Sequence, residues 1–210
     1  MPTVALEEID RSSKKLLILT LISGTLALLF VCVGIGTPKW ESSYVNTSDG
    51  SYALSNTANF FYTCSFTKGV FNNCTSRTEY LKGYPRYSIS FPWARDYNSH
   101  LQSAAGLCTV AILILALSLV VTLVILVHSL FAWTNLASPL LFFITCLLMT
   151  AGLAEGSRCL LFNDYSANLY QTGYLLSIFS LFISAFVTGR IHFFRKQEEE
   201  NLMKTKLIRK

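Results

Sequence analysis

The sequence is poor in charge: Asp, Glu, Lys and Arg make up 14% of its 210 residues, against about 25% in an ordinary soluble domain. Four long stretches hold no charged residue at all, and the charges lie between them and at the two ends. A soluble domain interleaves the two kinds of residue at helical or strand period, so that class is excluded. Histidine is scarce as well. His100, His128 and His192 fall in three separate regions, which argues against a histidine metal site or a catalytic triad. Also missing are GxxxxGK(S/T), HExxH, GxSxG and CxxC, and any pair of carboxylates inside an apolar block. The expectation is a protein without enzymatic activity, cofactor or metal. The net charge of +5 does not indicate a nucleic-acid partner, because the basic residues flank apolar blocks and form no single stripe. Beside a membrane span, Lys and Arg anchor at headgroups and fix orientation.

What is present, in abundance, is apolar length. The first block, Leu16 to Gly36, has 21 residues, about what a helix needs to cross a 30 Å hydrocarbon layer and longer than the usual apolar region of a signal peptide. Pro38 ends it. The organisation read from the sequence is an N-terminal tail at 1–15, spans at 16–37, 104–127, 136–155 and 173–194, a long loop at 38–103, a short one at 128–135, another at 156–172, and a C-terminal tail at 195–210. Gly24, Gly106, Gly152, Gly173 and Gly189 offer small surfaces for close helix packing in lipid. The fold class expected is all-α transmembrane: a left-handed four-helix bundle carrying a small extracellular antiparallel β-sheet formed by the first loop.

That first loop is too long for a connector and too rich in aromatic residues for a disordered linker. Trp40 to Val45, Phe60 to Phe66 and Tyr87 to Phe91 read as strands. Asp49-Gly50, Lys68-Gly69, Asn72-Asn73 and Pro85 read as turns, and Phe91 to His100 as a turn and helix entering the second span. Cys32, Cys108 and Cys146 lie within apolar blocks and read as small buried hydrophobes. Cys64 and Cys74 are the one pair whose spacing and context suit a bridge, worth roughly 3 kcal/mol in the chain-entropy picture. Trp40 reads as an amphipathic ring at the lipid–water boundary, and Phe66 and Phe71 as outward-facing recognition residues.

Ten of the 17 basic residues lie in the two tails or, as Arg190, near the end of the fourth span, and an even number of spans puts both tails on one side, expected to be the cytoplasm. The loop then lies outside, where Asn46-Thr47-Ser48 and Asn73-Cys74-Thr75 form glycosylation sequons. Glu155 and Arg158 are spaced to pair at the outer end of the third span. Arg190 and His192 read as snorkelling residues, and Glu198 to Glu200 as a solvated face.

Trp40, the triplet Phe60-Phe61-Tyr62 ahead of Cys64, and nine residues between Cys64 and Cys74 together resemble the signature of the claudin superfamily. That group includes the peripheral myelin and epithelial membrane proteins, clarins and the gamma subunits of calcium channels. Its pattern is W, then GLW-x-x-C, then eight to ten residues and C. The stretch HLQSAAGLC (His100 to Cys108) is similar to the family's entry into its second helix. The aromatic triplet replaces GLW, Ala105 and Gly106 stand where a basic residue is usual, Thr75 is neutral after the second cysteine, and the last residues, Lys206 to Lys210, lack an apolar C-terminus. The resemblance implies a divergent plasma-membrane protein that organises cell–cell or lateral contacts with like or other membrane proteins. It alternatively implies an auxiliary subunit of a channel or receptor and, less well, a paracellular pore. The C-terminus argues against binding a PDZ scaffold.

Overall fold

The computed structural model describes residues 2–47, 49–77, 92–127 and 134–208. Helix α1 runs Pro2–Gly36, α2 Pro92–Val127, α3 Thr134–Gly156 and α4 Tyr165–Ile208. Each contains a stretch long and apolar enough to cross a membrane: Ser12–Gly36, Ser99–Val127, Leu136–Gly156 and Tyr165–Phe194. The chain is thus a four-helix bundle of multi-pass membrane type. Between α1 and α2 stand β1 (Glu41–Asn46), β2 (Tyr52–Ala58), β3 (Tyr62–Thr67) and β4 (Val70–Ser76), an antiparallel meander in chain order.

The helices alternate in direction, with α1 packed on α4, α2 on α3, and the two pairs joined through α3–α4 and α1–α2. Small residues set the closest seam. A Cβ on Gly34 would stand 2.7 Å from the Tyr170 backbone nitrogen, and one on Gly173 would stand 2.8 Å from the Ala27 carbonyl oxygen. Backbones in contact are how helices associate where lipid cancels the hydrophobic drive between them. Gly106 and Gly189, expected to serve likewise, face open space.

The interior of the bundle changes character along its length. Near the sheet it is apolar, with Val31, Ile35, Leu101, Ala104, Cys108, Met149 and Tyr170 buried together. From the middle to the far end it is rich in hydroxyls. Ser23 Oγ lies 2.7 Å from Ser180 Oγ, joining α1 to α4. Ser138 of α3 lies 2.6 Å from Thr122 of α2 and 2.9 Å from Ser184 of α4.

Several expectations change. Asn72-Asn73 is no turn but the middle of β4. The turn is Lys68-Gly69, where both residues have positive φ (51° and 79°), the geometry a two-residue hairpin requires. Neither β2 nor β4 was read from sequence, and β1 and β3 begin one and two residues later than expected. Tyr165 to Thr172, read as loop, forms the first turns of α4, because Asp164 accepts the Tyr165 N–H at 2.6 Å and Ala167 and Tyr170 are buried on one face. Cys32 is exposed on the outside of α1, while Cys108 and Cys146 are buried. The strand expected at Tyr87 to Phe91, the turn at Pro85 and the link at 128–133 lie outside the described residues.

Candidate functional site: a collar joining sheet and bundle

Pro38 stops α1, and a stopped helix leaves its last four carbonyls without intrahelical partners. In this chain each finds one. The Val33 carbonyl accepts the Thr37 N–H at 3.1 Å. The Gly34 carbonyl accepts the indole N–H of Trp40 at 2.6 Å, and the Ile35 carbonyl accepts the Asn59 side-chain amide at 3.3 Å. The Gly36 carbonyl accepts the Tyr62 hydroxyl. Three of these four donors belong to the loop domain, so the sheet is bolted to the end of the first span.

Trp40 is the centre of this collar. It is fully buried, with ring centroids of Phe60, Phe162 and Tyr170 at 4.6, 5.2 and 5.3 Å, tilted or edge-on, the arrangements that aromatic quadrupoles favour. Its ring is therefore enclosed by protein and faces no lipid. Its apolar body is enclosed by three other elements and its one polar atom is satisfied by α1. Phe60 reaches α3 as well, since a Cβ on Gly156 would meet its ring at 2.8 Å. Of the aromatic triplet, Phe60 faces in, Phe61 faces out and Tyr62 caps the helix.

Asn59 was missed by sequence reasoning although it is fully buried. Its Oδ1 accepts the N–H groups of Phe61 and Tyr62 at 2.8 and 2.9 Å, while its amide also reaches the Thr37 carbonyl at 3.3 Å. An Asn opening a tight turn is the only signal that pointed to it.

The loop between α3 and α4 closes the collar from the other side. Asn163 Oδ1 accepts the Ser42 N–H at 2.9 Å, its amide donates to the Ser42 carbonyl at 3.1 Å, and its own N–H reaches the Trp40 carbonyl at 3.2 Å. The side-chain amide thereby pairs with the outer edge of β1 as a neighbouring strand would. Asp164 accepts the Ser42 hydroxyl.

Cys64 and Cys74 face each other across β3 and β4 and are disulfide-bonded. Near the entrance to α2, Arg77 is buried, donates to the Tyr97 hydroxyl and to the Asn59 carbonyl (3.4 Å), and lies over the Tyr97 ring. Burial raises the Tyr97 phenol above its ordinary range and the nearby guanidinium partly offsets this. Cys159 is half-buried, and burial raises its thiol too. Glu155 pairs with Arg158 only loosely, at 3.9 Å, and more closely with His100 at 2.5 Å. Neither the buried Arg77 nor the His100 contact had a sequence signal, since both depend on which turn of α2 meets the sheet and α3.

Asn46 and Asn73 are exposed on β1 and β4. Apolar side chains crowd the outer sheet: Tyr44, Val45, Tyr52, Val70 and Phe71 are more than half exposed, whereas Phe66 folds against Phe71 at 5.8 Å. Among the described residues no group of His, Cys, Asp and Glu is arranged to hold a metal. No protein-family model matches the chain, and no curated protein matches it.

Proposed function

We propose that this chain is a divergent claudin-like protein of the plasma membrane. In this reading the sheet lies outside the cell, both tails lie in the cytoplasm, and the protein has no catalytic role. It organises cell–cell or lateral contacts with like or other membrane proteins. One observation carries the reading: a sheet fixed to the bundle by the collar presents Tyr44, Val45, Tyr52, Val70 and Phe71 to its surroundings. A rigid sheet with apolar outer side chains suits recognition, because little conformational freedom is lost on binding and aromatic side chains dominate such contacts. Asn46 and Asn73 are exposed and serve as glycosylation sites. Sugars there would leave the collar untouched.

Expression in non-adherent cells tests the reading. Wild-type protein is expected to concentrate at cell–cell contacts and to promote aggregation. A Tyr52→Ser, Phe71→Ser double variant is expected to reach the surface and do neither. Even distribution of wild type, with stoichiometric co-purification of a channel or receptor, would replace this function with that of an auxiliary subunit.

A further inference from the structure

At the end of the bundle opposite the sheet, α1 and α4 carry basic residues inside the limits of their apolar spans. The α1 span begins at Ser12 and the α4 span ends at Phe194, so Lys14, Lys15, Arg190 and His192 fall within them, and neither span contains Asp or Glu. Arg190 Nη1 donates to Ser12 Oγ across the seam at 3.3 Å, which places the two ends at one depth. Its guanidinium also lies over the Phe194 ring. Lys15, three residues on from Ser12 along α1, is exposed.

We propose that this α1–α4 seam binds the phosphate of an anionic phospholipid headgroup. A guanidinium has five N–H donors in a fixed fork that matches phosphate oxygens, and the bond to Ser12 uses one of them. Lys15 adds a second positive charge. The depth is that of headgroups, because these groups stand at the last turn of apolar helix before the charged tails. Phe186, exposed on α4 one turn nearer the middle of the span than Arg190, lies alongside where the acyl chains would run. A free phosphate offers the same oxygens but gains nothing from that apolar flank. The proposal stands apart from the adhesive reading of the sheet.

The test uses the full chain in zwitterionic detergent, with bound lipids counted by native mass spectrometry during titration with phosphatidylserine or phosphatidylcholine. Phosphatidylserine is expected to be retained preferentially. Arg190→Gln and Lys15→Gln should each weaken its retention roughly fivefold, the effect of one cation near an anionic surface. Lys68→Gln, in the β3–β4 turn, should change nothing. Arg190→Lys guards against a purely structural effect: it should keep the lipid preference even if it lowers thermal stability by losing the bond to Ser12. Equal retention of the two lipids, or unaltered phosphatidylserine retention in the Lys15→Gln, Arg190→Gln double variant, would overturn the proposal. Displacement of phosphatidylserine by an equal concentration of inorganic phosphate would also overturn it, by assigning the seam to the free ion.

Discussion

Asp49 stands at the tip of the β1–β2 hairpin, where its carboxylate accepts from the Thr47 hydroxyl, the Ser51 hydroxyl at 2.9 Å and the Ser51 N–H at 3.2 Å. These bonds favour the ionised form and pull its pKa down to about 2, the Thr47 bond most of all. Because the folded value lies below the unfolded one of about 3.9, the hairpin gains stability from Asp49 above about pH 4 and loses it as pH falls through about 2. Carboxyl carbon shifts in a pH titration of the intact chain in detergent should show Asp49 still ionised at pH 3. A midpoint near 4 would mean that the turn bonds are absent in solution. At this scale the sequence was only partly legible. Asp49-Gly50 and Lys68-Gly69 were evident as turns, because turn chemistry is local. The role of Trp40 was misread and that of Asn59 went unseen, since they answer helix carbonyls 6 and 24 residues away.

Among the elements, the α1–α4 seam depends on two absent side chains. A Cβ at position 173 would press on the Val31 nitrogen at 3.0 Å and the Ala27 oxygen at 2.8 Å. These are backbone atoms of α1 that cannot turn aside. Gly173→Leu should therefore force the helices apart and destabilise the fold by about 1–3 kcal/mol or more. Gly189→Leu, which meets nothing, should leave stability unchanged. Unfolding midpoints in mild detergent would separate the two, and equal midpoints would contradict the packing described. The four spans were legible because uninterrupted apolar length is a strong signal. Strand β2, with the sequence YALSNTA, was not, as its pairing with β1 and β3 decides its conformation more than its own propensity does. The opening turns of α4 were likewise hidden, because Tyr170 is polar enough to pass for loop yet packs against Trp40.

For the molecule as a whole, the collar couples the sheet to all four helices or the turns that join them, so damage in the sheet should be felt in the bundle. A Cys64→Ser, Cys74→Ser double variant removes the one covalent tie in a four-stranded sheet, a loss of about 2–5 kcal/mol. Cell-expressed variant protein should be retained before the surface, and surface biotinylation would measure the shortfall. Normal delivery would show that the collar alone suffices.

The hydroxyls in the far half of the bundle bear on how such a molecule assembles. Thr20 donates to the Leu16 carbonyl, Thr122 to Ser118, Ser177 to Gly173 and Ser180 to Leu176, each within its own helix. A helix so equipped enters hydrocarbon with those donors already satisfied, before any neighbour arrives. Insertion and docking can then proceed as separate events. Docking exchanges few polar bonds, so partner choice falls to shape: which backbones can approach, and at what stagger their serines meet.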